Sequence, residues 1–116
     1  MQPDGRKYLY DIQDACRKLE DFTQARTLDD YLVNEMLRAA VERQFEIIGE
    51  ALNQLNRIDS VLVSSIPDVR RIIAFRNILI HGYATIRHDT VWGVVQTDLP
   101  MLTKHIRAVL LDEAVE

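Results

Sequence analysis

The sequence predicts an all-α protein, an antiparallel bundle of four or five helices. Three observations carry that expectation. Apolar residues recur at helical steps in four separate stretches. Helix breakers are scarce, with four glycines and three prolines in 116 residues, which favours long helices over many short strands and turns. Apolar residues make up 47% of the chain and charged residues 28%, proportions that allow a packed core and argue against disorder. There is no internal repeat and no low-complexity stretch, so residues 1–116 read as one helical domain.

The first stretch places Tyr8, Leu9, Ile12, Cys16, Leu19 and Phe22 on one stripe, with Asp4 as the expected cap. A second helix is expected from Thr27–Asp29 to about Leu55. Its wide stripe holds Leu32, Met36, Leu37, Val41, Phe45, Ile48, Leu52 and Leu55, flanked by Val33 and Ile47. So broad an apolar face calls for two packing partners. Gly49 lies inside this helix, where Gly costs about 1 kcal/mol relative to Ala. It is either tolerated or marks the close approach of another backbone, including one across a dimer.

The segment "NRIDSVLVSSIPD" interrupts the pattern. Pro67 suits the first turn of a third helix, with Ser65 as its cap. Ile72, Phe75 and Leu79 share one face of that helix, with Ile73 and Ile80 beside it. His81 falls on its last turn, and Gly82 is expected to close it in the left-handed conformation. A fourth helix is expected to start at Asp89 or Thr90, with Val91, Val95, Leu99, Leu102, Ile106, Val109 and Leu110 facing inward. Pro100 should kink or split it.

Charge and cysteine content narrow the function classes. The net charge of -4 argues against a protein held on nucleic acid by its overall field, though a local basic patch remains possible. The lone Cys16 excludes an internal disulfide and any site built on several cysteines. The N-terminus has no apolar signal core, and no run approaches the ~18 apolar residues of a membrane span. A soluble cytoplasmic protein is expected. No His and carboxylate set has metal-ligand spacing, and the scattered glycines form no phosphate loop, so no metal or bound cofactor is expected.

The chemistry concentrates in "RNILIHGY", residues 76 to 83. Arg76 and His81 are five positions apart, about 140° around a regular helix at about 100° per residue. They diverge unless the last turn bends. As a pair they are chemically useful. A histidine titrates near neutrality and moves protons, and an arginine holds a phosphate with two parallel hydrogen bonds. RNA supplies its own nucleophile in the 2′-hydroxyl, so a proton carrier and a phosphate clamp suffice for cleavage without a metal. Asn77 stacks on the His81 face, and Arg70, Arg71 and Arg87 are candidate RNA-binding cations. The residues alone leave a plainer reading open, because a helix C-terminus favours His and Arg through its dipole. His88 reads as a helix start and His105 as a helix edge.

The motif R-x-x-x-x-H-x-Y, formed by Arg76, His81 and Tyr83, resembles the signature of HEPN-superfamily ribonucleases, and more narrowly the HepT toxins of type VII HepT–MntA toxin–antitoxin pairs. "AVERQFEIIGEAL", "IPDVRRIIAFRNILIHGY" and "VWGVVQTDLPML" resemble that family in the same order, from about Ala40 to Leu102. One departure is Asp68, where relatives often carry an aromatic residue. The resemblance implies a dimeric helical bundle whose two motifs meet in one cleft, and metal-independent cleavage of transfer or messenger RNA. It implies His81 as the acid–base group, Arg76 as the phosphate clamp and Asn77 as an orienting residue. It also implies neutralisation by an MntA-like nucleotidyltransferase that brings its own ATP and Mg²⁺ and transfers AMP to Tyr83. Two other functions are compatible with the same residues. One is a non-catalytic helical module that binds a nucleotide or RNA for a nucleotidyltransferase. The other is a structural dimer that only binds its partner.

Overall fold

A computed structural model describes residues 3–115; the side chains of Pro3, Tyr83, Ala114 and Val115 lie outside that description. Among the described residues there are six α-helices and no strand: α1 (Pro3–Thr23), α2 (Leu28–Val33), α3 (Glu35–Ile58), α4 (Ser60–Ser64), α5 (Val69–His81) and α6 (His88–Val115). A 3₁₀ turn over Tyr83–Thr85 joins α5 to α6. Helix α3 packs against α1 on one side and α5 on the other, while α1 also packs against α6. At about 1.5 Å per residue, the 28-residue α6 is about 42 Å long, so it spans nearly the whole 45 Å long axis of the molecule. The all-α expectation holds, with two short helices that periodicity did not resolve.

The expected helix from Thr27 to Leu55 is two helices. Thr27 and Asp30 form a reciprocal capping box that starts α2. Asn34 then leaves helical geometry (φ -115°, ψ 95°), and its Oδ1 accepts from the Leu37 N–H at 2.9 Å to start α3. The break rotates the phase of the stripe. Leu32 and Met36, expected inside, lie exposed with Val33, whereas Tyr31 becomes fully buried against the ring of Trp92 at 5.3 Å.

Three further boundaries differ from expectation. Ser65 does not cap α5, because its hydroxyl donates to the Leu62 carbonyl at the end of α4. Pro67 precedes α5, which starts from Asp68 in the left-handed conformation (φ 57°) without a side-chain cap, a conformation Asp tolerates better than most residues. Helix α6 begins at His88, one or two residues before Asp89 and Thr90, with the Arg87 carbonyl accepting the first helical bonds. Asp4 lies in the first turn of α1. Pro100 does not split α6. Pro100 and Gln96, whose carbonyl loses its helical partner, are both exposed, so water can satisfy that group.

The core follows the expected stripes. Leu9, Ile12, Cys16 and Leu19 meet Val41, Ile48, Leu52 and Leu55 from α3, and Val91, Val95, Leu99 and Ile106 from α6. Helix α5 adds Ile72 and Leu79, and the Phe75 ring meets Phe45 edge-on at 5.3 Å. Cys16 is fully buried, and burial pushes its thiol up from 9.0 to about 12. It should therefore resist thiol reagents at neutral pH and react once urea unfolds the chain. The folded state holds this proton more tightly, so stability should fall as pH rises from 9.0 toward about 12. Reaction of the native protein at the rate of the unfolded one would contradict this. No helix is long and apolar enough to cross a membrane among the described residues.

Candidate functional site

Helix α5 carries Arg76, Asn77 and His81, and Tyr83 opens the following 3₁₀ turn. His81 is the last helical residue, as expected, and its side chain is exposed. The helix stays regular to its end. The Gly82 N–H donates to the Ile78 carbonyl at 2.8 Å, and Gly82 has φ -112°. The expected left-handed cap is absent because the chain turns into the 3₁₀ segment instead. There the Thr85 N–H and hydroxyl both donate to the Gly82 carbonyl. A regular last turn does not bend His81 toward Arg76, and no hydrogen bond joins the two among the described residues. The Tyr83 side chain lies outside the described residues.

Arg76 is held from three sides. Its aliphatic stem lies across Gly49 of α3, so closely that a Cβ built on Gly49 would overlap Arg76 Cβ and Cγ. Gly49 thus makes room for a neighbour within the chain, and that neighbour is the Arg76 side chain rather than the other backbone expected. The guanidinium then turns to neighbouring groups. Nη2 donates to Glu50 Oε2 at 2.7 Å, and Nη1 donates to Asn77 Oδ1 at 3.0 Å. Nε is buried without a partner. A guanidinium has five N–H donors. With Nε enclosed and one N–H on each terminal nitrogen engaged, one N–H on Nη1 and one on Nη2 stay free. A forked phosphate contact takes two N–H groups of one guanidinium in parallel. Only 21% of the Arg76 side chain is exposed, so few of its rotamers are accessible.

Asn77 is exposed, and its Oδ1 accepts from Arg76 Nη1; no hydrogen bond joins it to His81 among the described residues. Of the three outer arginines, Arg71 pairs through Nε with Asp98 at 3.4 Å. Asp98 is the buried carboxylate of α6. Arg87 pairs with Asp89 at 3.0 Å and holds that carboxyl below its usual range. Arg70 is exposed and forms no ion pair among the described residues. His88 starts α6 with its ring edge toward Tyr31, 6.4 Å away, and His105 is half-buried on α6.

Sequence reading missed Glu50. It lies 26 positions from Arg76, so no helical spacing connects them. The available signal was Gly49 next to it, a marker of close approach. Arg43 was missed for the same reason. It shares with Arg76 a cleft of about 240 Å³ between α1, α3 and α5.

Comparison with known proteins places the chain in a family. The chain is 33% identical over 106 residues to a Methanocaldococcus jannaschii protein named "Putative RNase MJ1380", covering 91% of this chain and 96% of that one. It is 33% identical over 102 residues to "Probable ribonuclease HepT" of Thermococcus cleftensis, covering 88% of this chain and 92% of that one. No solved structure matches. The family model described as "Ribonuclease HepT-like" matches residues 12–109, from the first buried turns of α1 to the last turns of α6, with the held arginine of α5 inside it. The chain belongs to the HepT-like ribonuclease family.

Proposed function

We propose that this HepT-like ribonuclease is the toxin of a toxin–antitoxin pair and that it cuts RNA with its own side chains. The observation that carries this is the state of Arg76, a guanidinium fixed by Gly49, Glu50 and Asn77 with one free N–H on each terminal nitrogen. In this reading those two N–H groups bind the scissile phosphate and stabilise the charge that grows on it. His81 takes the proton from the 2′-hydroxyl as that oxygen attacks phosphorus, or delivers one to the leaving 5′-oxygen. The products are a 2′,3′-cyclic phosphate and a 5′-hydroxyl. Because Arg76 and His81 diverge on one regular helix, the acting pair is completed by a second copy of the chain, Arg76 of one protomer working with His81 of its partner.

Control acts at Tyr83, on the turn that follows His81. An MntA-like nucleotidyltransferase partner, holding ATP and Mg²⁺, directs the tyrosine oxygen onto the α-phosphorus of ATP and releases pyrophosphate. The AMP left on Tyr83 adds negative charge and bulk beside a cleft that must accept a polyanion.

The test uses purified, chelator-treated protein and total RNA. Wild type should leave fragments ending in cyclic phosphate, and His81→Ala should leave the RNA whole. Equal cleavage by both would overturn the assignment, and binding of RNA without cleavage by either would favour the non-catalytic module. With the partner and ATP, wild type should gain the mass of one or more AMP groups and stop cutting. Tyr83→Phe should escape both.

A further inference from the structure

The 240 Å³ cleft beside Arg76 has a mixed character. Tyr8 of α1, Ile47 and Ala51 of α3 and Ile80 of α5 give it an apolar lining. Charge sits among them, as Asp11, Glu46 and Glu50 against Arg43 and Arg76. Glu50 is engaged by Arg76 at 2.7 Å. Asp11 has Lys7 at 3.4 Å. Glu46 has Arg43 only at 3.8 Å, beyond hydrogen-bond distance, so its oxygens accept nothing among the described residues.

Size and charge select the occupant. Sites for drug-sized ligands start at ~300 Å³, so this cleft suits one planar ring rather than a larger ligand. A phosphate seated among the three carboxylates, away from Arg76, is disfavoured. Those carboxylates do not form a metal-binding group of three among the described residues. What remains is a flat, partly apolar ring with N–H donors on its edge, attached to a phosphate that Arg76 can hold at the same cleft.

We propose that this cleft is a nucleobase subsite for the nucleotide next to the scissile phosphate, and that it favours cytosine over uracil. The inference rests on the ribonuclease reading above. Lys7 Nζ lies over one face of the Tyr8 ring, 5.1 Å from its centroid, and the base stacks against the other face, as single-stranded bases do on aromatic side chains. Glu46 accepts from the N4 amine of cytosine, the pairing expected between a carboxylate and this base. Uracil has nearly the same shape but presents a carbonyl oxygen where cytosine presents the amine, so it meets the carboxylate with like charge. The subsite thus supplies base selection that Arg76, which contacts only phosphate, lacks.

The experiment compares oligoribonucleotides that differ only by cytidine or uridine at each nucleotide flanking the cut. It reads cleavage by kcat/KM and binding with uncleavable 2′-O-methyl versions. Wild type should prefer cytidine roughly tenfold at one of the two positions. Glu46→Gln should bring that ratio near one, since a carboxamide can donate to uracil O4 or accept from cytosine N4, and Asp11→Asn serves as a second isosteric variant with a smaller expected shift. Tyr8→Ala should weaken binding of both bases alike. A ratio of one in wild type, a ratio unchanged by Glu46→Gln, or unchanged binding by Tyr8→Ala would overturn the subsite while leaving the ribonuclease in place. Wild type that neither cuts nor binds any of these RNAs would overturn the ribonuclease reading, and the subsite with it.

Discussion

Arg76→Lys is expected to lose RNA cleavage almost as completely as Arg76→Ala, by about 10²- to 10³-fold in kcat/KM, the usual effect of removing one donor that stabilises charge in a transition state. In the proposed reading the positive charge alone does not suffice. The guanidinium spends one N–H on Glu50 and one on Asn77, and the proposed phosphate contact takes the second N–H of each terminal nitrogen. An ammonium is a point charge with three rotatable donors. On a lysine stem it can meet Glu50, but it cannot also span Asn77 and fork a phosphate in the same plane. The folded state should change little in Arg76→Lys, which keeps the aliphatic stem over Gly49. Glu50 is half-exposed, at 49%, and a solvent-screened pair contributes about 0–1 kcal/mol. Thermal melting and cleavage should therefore separate, with near-native melting and a large loss of rate. Arg76→Lys within about threefold of wild type would show that the forked contact is not used.

Gly49→Ala is expected to destabilise the chain by about 1–3 kcal/mol, as overpacking of a tight contact does, and to reduce cleavage as well. The new Cβ would overlap Arg76 Cβ and Cγ. Cγ can swing with the first side-chain torsion but Cβ is fixed to the α5 backbone, so rotation of the arginine cannot relieve the clash and α5 must move away from α3. Both the Phe45–Phe75 contact and the Glu50 ion pair cross that interface. In a helix free of such contacts the same change would stabilise by about 1 kcal/mol, so the direction of the shift decides the matter. Urea unfolding at constant m-value reads it. A Gly49→Ala chain as stable as wild type or more so would refute the close approach. Adding Arg76→Gly should recover part of the lost stability by removing the atoms that clash.

Much of this protein was legible from local pattern. The Leu9–Ile12–Cys16–Leu19 stripe, the Val41 to Leu55 stripe and the Val91 to Ile106 stripe are all buried as read, because a helix facing a core must repeat its apolar residues with its own period. The end of α5 at His81 was legible too. Legibility failed where one residue changed the phase. Asn34 turned one expected helix into two and put Met36 outside and Tyr31 inside, because a capping side chain competes with helix continuation in a way periodicity does not register.

Local pattern suffices for the all-α class, the core stripes and the grouping of Arg76, Asn77 and His81 on one helix, since each depends on residues within a few turns of one another. Packing between helices is what lets Gly49 make room for Arg76, Glu50 hold its guanidinium, Arg71 reach the buried Asp98, and Tyr8, Glu46 and Ile80 share one cleft. Those contacts join residues on different helices. Their spacing in the chain carries no period, and the packing of whole helical faces, α3 between α1 and α5, is what brings them within hydrogen-bond or van der Waals distance.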